Sequence, residues 1–362
     1  MSVENIAPAR RTQVLTGIEA GRGVAAMLVV GLHAWHHCES SFDSFAFGNI
    51  FAFGHAGVDF FFVLSGFIIY HVHQNDIGWA ARLPHYAQRR FTRIYPFYWI
   101  VLALTLLSGL LAGRPMPLAS SLIQSLALAP TAQMIVGVAW TLQHEMLFYT
   151  IFALLIINRR LGQTALGAWL ILILACSFII GGENLKWPPL EFASYFDLEF
   201  FLGMGAAWLL RRYTVSGPRL LLLLCIVGFL AIGLAEDAHA IRGTAVLTHL
   251  GYGSAATGMV LGLVEAERQG RLVVPPVFAL LGSASYAIYL THELSIGAVW
   301  QLWLAFGLAP FVPVWLLFLG LVTAAAISGV VVSYTLERPS IALARRSISG
   351  TAAVFVARVR TT

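Results

Sequence analysis

The sequence predicts an all-α, polytopic membrane helix bundle of about ten transmembrane helices with both termini in the cytoplasm, and three observations carry that expectation. Hydrophobic residues make up 59% of the chain and charged residues 11%, with a mean hydropathy of +0.79, whereas an ordinary soluble domain carries about 25% charged residues. Apolar stretches of helical length recur along the whole chain. Basic residues fall almost wholly on one side of the membrane that those stretches define.

The stretches cover residues 15–37, 51–71, 94–111, 139–157, 165–180, 195–210, 220–235, 244–264, 277–299 and 311–334. With the N-terminus inside, ten crossings place 19 of the 22 Lys and Arg residues inside. Arg114, Lys186 and Arg242 are left outside, among Glu39, Asp43, Glu183, Glu191, Glu236 and Asp237. An eleventh crossing at 118–139 would leave 9 basic residues inside and 13 outside, so that segment is expected as an outer loop or a half-inserted helix.

Residues 1–14 then form a cytoplasmic tail, 15–337 a single transmembrane domain and 338–362 a basic cytoplasmic tail. The formal charge of +5 and a pI near 9.3 reflect orientation and contact with anionic lipid rather than nucleic acid. Arg10 and Arg11 precede an apolar run, as in a signal peptide, but that run carries Glu19, Arg22 and His33 and is expected to stay as the first helix. Cys38, Cys176 and Cys225 show no metal-type spacing, so neither a disulfide framework nor a metal site is expected.

Ionisable residues inside the spans mark the chemistry, because each costs on the order of 3 kcal/mol in a bilayer. Arg22 and His33 of the first span are eleven positions apart. Eleven helical residues advance about 16 Å and turn about 20° past three full turns, so both side chains face one way. Span two holds Asp59, for which an N-cap or a structural ion pair is the leading role and substrate binding the functional alternative. His71 and His73 end that span, where a solvated imidazole needs no special reason.

Arg89, Arg90 and Arg93 crowd the start of span three. Arg90 and Arg93 share a helix face and make a fork for phosphate or pyrophosphate. Tyr95, Tyr98 and Trp99 beside them fit an interfacial aromatic belt, which with ordinary topology signalling is the plainer reading. In span four, Glu145 lies about two turns deep with His144 beside it, and its depth is expected to match that of His33. A carboxylate accepting one imidazole N–H raises the basicity of the other nitrogen, which suits deprotonation of an alcohol. Neutralising Arg22 is the competing role for Glu145. Span nine adds Tyr286, Tyr289, His292 and Glu293, with Tyr289 and His292 on one face, able to line a polar cavity or to form an interhelical network. Asp197 and Glu199 of span six are expected near the outer surface, wetted.

Five ordered blocks, GIEAGRGVAAMLVVGLH (17–33), GVDFFFVLSGF (57–67), RRFTRIYPFYW (89–99), WTLQHEMLFY (140–149) and SYAIYLTH (285–292), give the chain a resemblance to the acyltransferase-3 family of bacterial integral-membrane O-acyltransferases. The resemblance runs over about 17–337. It implies catalysis by Arg22 and His33, an Arg-x-x-Arg motif at Arg90 and Arg93, and a motif glutamate at Glu145. Glu19 stands where the family usually has Asp, Thr141 where it has Ser, and Met146 where a second acidic residue is common. The WTLQHEMLFY wording is similar to the exopolysaccharide-modifying branch.

The resemblance implies transfer of an acyl group, acetyl first, from cytosolic acyl-CoA such as acetyl-CoA to a hydroxyl of a surface carbohydrate or lipid-linked glycan, in a bacterial inner membrane. His33, Glu145 and Arg22 are the expected catalytic residues. Arg89, Arg90, Arg93 and Tyr95 are expected to hold the donor, and Asp59, Tyr289 and His292 the acceptor. His33 acts as base, or as the carrier of a transient acyl group. A proton-coupled secondary transporter and a lipid-linked glycan export partner are the alternatives from other classes. No matching halves with interrupted helices favour the transporter.

Overall fold

The computed structural model describes residues 15–42, 49–131, 134–181, 193–242, 245–308 and 311–359. Among them no strand occurs. Of the charges that set the orientation, Arg10, Arg11, Asp43, Glu183, Lys186, Glu191 and Arg360 lie outside the described residues. We number the helices α1 (Thr16–Glu39), α2 (Ala56–His73), α3 (Leu83–Leu111), α4 (Ala119–Ala127), α5 (Trp140–Ile157), α6 (Arg159–Ala175), α7 (Leu198–Arg212), α8 (Pro218–Asp237), α9 (Val246–Arg268), α10 (Pro276–Ser283), α11 (Ser285–Ala305), α12 (Val314–Val332) and α13 (Arg338–Val359).

The described part of each expected apolar stretch is largely helical, and among the described residues six helical segments are both long and apolar enough to cross a bilayer: Ala52–His73, Ala80–Leu111, Gly137–Ile157, Arg159–Ile179, Pro218–Asp237 and Val314–Ile348. The chain is thus a multi-pass membrane protein. Helices α1, α9 and α11 match these in length but are diluted by His, Glu, Arg and Gly. Helix α7 has 15 residues. The ninth expected stretch is two helices, α10 and α11, divided at Ala284.

Segment 118–139 is largely non-spanning: α4 has nine residues, about 14 Å of helix, and Leu128 ends it in the left-handed region at φ 53°. Its last carbonyls find donors on α3. Tyr98 Oη donates to Ser125 O at 2.8 Å, Trp99 Nε1 to Leu126 O at 3.0 Å and Tyr95 Oη to Ala127 O at 2.9 Å. Four orphan carbonyls end every helix, and here aromatic side chains satisfy three of them.

Helix α2 forms the centre, packed on α1, α7 and α9. Its contact with α7 is made by two glycines: a Cβ on Gly66 would strike the Phe200 carbonyl, and one on Gly203 would strike that of Val63. Small residues at a crossing let backbones meet where no hydrophobic force separates helix from lipid. At the other end of the topology, α12 passes through a π-helical turn, Ser333–Glu337, into α13. Such turns rotate the following side chains relative to an α-helical register.

The α2–α7 contact predicts that Gly203→Leu lowers stability by about 2–3 kcal/mol through overpacking, read as a fall in the melting temperature of the detergent-solubilised protein. Gly205→Leu, whose new side chain meets open space, should leave it nearly unchanged.

Candidate active site

Two cavities lie on the inner face of α1. Arg22 lines the first, of about 380 Å³, and His33 the second, of about 320 Å³. The polar stripe expected from their spacing therefore serves two chambers. Val58 and Tyr289 line both, so they form the wall between them.

Arginine dominates the first cavity. Arg22, Arg89, Arg90, Arg93 and Arg345 line it with the carboxylate of Glu145, and Glu337 pairs with Arg93 from behind, a formal surplus of five minus two, or three positive charges. Ring faces and carboxylates position the guanidinium groups. The Arg90 guanidinium lies 5.5 Å from the Tyr149 ring centroid and that of Arg93 4.9 Å from Tyr286, distances at which the ring quadrupole attracts a cation. Arg93 also donates to Glu337 Oε1 at 2.7 Å. Glu337 is 2% exposed, and Ser333 donates to its other oxygen at 2.7 Å. The π turn thus aims a buried carboxylate at the family-type arginine. Arg90 Nε is buried without a hydrogen-bond partner, a donor left for an anion.

Glu145 accepts hydrogen bonds from Ser65 Oγ at 2.9 Å and from the Tyr149 hydroxyl. It shares the cavity of Arg22, in keeping with its competing role. The expected Glu145–His33 dyad is not formed. His33 faces Gly137, Val138 and Trp140, which precede Glu145 by five to eight residues, so Glu145 sits about 7–12 Å further along the helix axis. The helix starts within one residue of the expected span, so the depth match fails because His33 is level with the start of α5 while Glu145 opens into the arginine cavity.

The carboxylate beside His33 is Glu293, whose Oε1 lies 3.6 Å from His33 Nε2. Val29 O can only accept, so His33 Nδ1 carries its hydrogen and donates at 2.9 Å, leaving Nε2 to take a proton. A proton gained there faces Glu293. His292 is fully buried and donates from Nδ1 to Tyr289 O at 2.7 Å, and its ring lies edge-on to His33 with centroids 4.8 Å apart. The Tyr289 hydroxyl is 3.0 Å from Thr141 Oγ1 and donates to Val138 O at 3.1 Å. The structure therefore brings His33, His292 and Tyr289 together, with Glu293 added.

Four expectations differ from where the structure places the residues. Tyr95, assigned to the donor site, lies outside the arginine cavity, because two residues of helix turn it about 200° from Arg93, onto the end of α4. Asp59, assigned to the acceptor, lines neither cavity: it is fully buried and accepts from His249 Nδ1 at 2.7 Å, which is the ion-pair role. Asp197 and Glu199 are buried, 0% and 1% exposed, rather than wetted. A capping box with Ser194 folds Asp197 inward, where it accepts from His144 Nδ1 at 2.9 Å. His73 is likewise buried, closed over by Tyr86 and bonded to Asp76 Oδ2 at 2.8 Å. Arg345, Ser65, Glu293 and Glu337 escaped notice as site residues, although an intramembrane Glu next to His292 is itself a signal.

The site carries a chamber lined by arginines at one end and the His33 imidazole, with its Glu293 neighbour, at the other. Residues 15–336 match the acyltransferase-3 family, described as an acyltransferase domain, and the chain belongs to it. It is 31% identical over 283 residues, 72% of its length and 82% of the relative's, to the exopolysaccharide production protein ExoZ of Rhizobium meliloti (strain 1021). It is also 30% identical over 199 residues, 48% of its length and 94% of the relative's, to protein 2 in the picA locus of Rhizobium radiobacter. No solved structure matches the chain.

The arginine chamber makes unequal demands on its members. Arg93→Ala leaves the Glu337 carboxylate buried and unpaired, so a loss of about 3–5 kcal/mol is expected in denaturation of the solubilised protein. Arg89→Ala, at an exposed position, should change stability by less than about 0.5 kcal/mol.

Proposed function

We propose that this protein is a membrane O-acyltransferase of a bacterial inner membrane that moves an acetyl group from cytosolic acetyl-CoA to a hydroxyl of an exopolysaccharide or of its lipid-linked precursor. The observation that carries the reading is the pairing of a cavity with a surplus of three positive charges and a separate cavity holding His33. ExoZ, by its name a protein of exopolysaccharide production, supports the acceptor class. In this reading residues 15–337 work as one transmembrane unit with cytoplasmic termini, and Arg345 of the following segment completes the donor chamber.

The phosphates of the donor bind Arg90, whose Nε lacks a partner, together with Arg22, Arg89 and Arg345. Arg93 is held by Glu337 and shapes the chamber from its side. The long pantetheine arm follows the inner face of α1 past Tyr289 and Val58, about 16 Å from Arg22 to His33, and presents the thioester in the second cavity. The acceptor hydroxyl lies at His33 Nε2. As the oxygen attacks the thioester carbon, its proton passes to Nε2; the C–S bond then breaks, and the CoA thiolate leaves and takes that proton. Glu293 stabilises the transient imidazolium. Direct attack is preferred over an acyl-His33 intermediate because Nε2 already has Glu293 beside it as counter-ion for a proton.

His33→Ala should abolish acetyl transfer, measured as CoA release with purified exopolysaccharide precursor, while the protein remains folded in the membrane. Retained activity removes His33 from the reaction. Glu293→Gln should lower kcat about 100-fold, and Arg90→Ala should raise the acetyl-CoA KM about tenfold or more, consistent with a lost charge-assisted contact. Consumption of acetyl-CoA in detergent, without any gradient, is expected of the enzyme; activity confined to sealed vesicles would instead identify a transporter.

A further inference from the structure

A second group of ionisable residues lies beside the His33 cavity and has no task in acyl transfer. His55 and Asp59 are four residues apart at the start of α2 and face one way. His249 approaches them from α9. Each of the three offers one ligand atom, and these atoms lie within 4.8 Å of one another. Asp59 is 0% and His249 4% exposed.

The carboxylates here lack donors. Asp59 Oδ1 accepts from His249, but Oδ2 has no partner, and neither oxygen of Glu199 has one. Glu199, from α7 and 1% exposed, sets its carboxylate against that of Asp59. Two buried carboxylates within hydrogen-bond reach of each other, with three oxygens that no other group serves, need either a shared proton or a cation. His55 completes the picture. Its Nε2 donates to Glu236 Oε1 at 2.8 Å, which leaves Nδ1 as the nitrogen with a free lone pair, the carboxylate–imidazole arrangement that orients metal-binding histidines.

We propose that His55, Asp59 and His249 bind one divalent first-row transition-metal ion, zinc by preference, with the Glu199 carboxylate behind Asp59. Two imidazoles and a carboxylate supply nitrogen and oxygen ligands of the kind zinc takes. Such an ion clamps the start of α2 to α9. It also fixes His55, which lines the cavity of His33, so its effect on acyl transfer is through positioning. The sequence gives no sign of it, since Asp59 and His249 are 190 positions apart and share no ligand motif.

The test is metal analysis of untagged full-length protein, purified in detergent without chelator. About one zinc per chain is expected, or the same stoichiometry of another first-row ion. Chelation should lower the melting temperature by several degrees, and micromolar zinc chloride should restore it. Asp59→Asn and His249→Gln should each remove the bound metal, whereas Glu145→Gln should retain it. If either variant fails to fold, the chelation and restoration experiment on the unaltered protein decides. Less than about 0.1 metal ion per chain after dialysis against zinc chloride, with an unchanged melting temperature, would overturn the proposal and leave Asp59 and Glu199 sharing a proton.

Discussion

Burying guanidinium groups in a bundle whose outer surface is hydrocarbon is the constraint on which the rest of the architecture turns. A bilayer offers no water to solvate them, so each needs a counter-charge, an aromatic face or an anionic guest. Arg93 has the first two, in Glu337 and Tyr286, and Arg90 has the ring of Tyr149 and one donor unspent. The π turn between α12 and α13 places Glu337 there, and α13 returns Arg345 to the same chamber. Features far apart in the chain thus follow from one electrostatic requirement.

The same requirement separates the two ends of the site. A permanent cation beside His33 would oppose the protonation that base catalysis needs. Here the arginines are gathered in one chamber, while His33 has Glu293 and the edge of His292 as neighbours, with Val58 and Tyr289 between the chambers. Along α1 the distance between Arg22 and His33 is set by helix geometry alone. A donor with a charged head and a reactive group at the end of a long arm suits that spacing.

The helices were legible because apolar stretches of the right length leave a membrane chain little alternative. So was the shared face of Arg22 and His33, since eleven residues nearly complete three turns. What escaped depends on residues distant in sequence. The partner of His33 is Glu293 rather than Glu145 because Glu145 opens into the arginine cavity, more than a turn of α5 from the Trp140 level of His33. Tyr95 shares a segment with the arginines yet faces the carbonyls of α4. The ninth stretch reads as one continuous run, but divides at Ala284 where Gly282 sits against the Glu19 backbone. Asp197 and Glu199 read as surface residues because their partners, His144 and the Asp59 cluster, come from other helices.

The central claim of the proposed function is that the arm of a bound donor reaches from the arginine chamber past Val58 and Tyr289 to His33. The most direct measurement is an experimental structure of the protein with a non-hydrolysable acetyl-CoA analogue bound. The account predicts phosphates against Arg90 and Arg22, the arm passing Tyr289, and the acetyl carbon within about 4 Å of His33 Nε2, near-attack range. An analogue bound away from the arginines, or one whose acetyl end stops on the arginine side of Tyr289 and Val58, would contradict it.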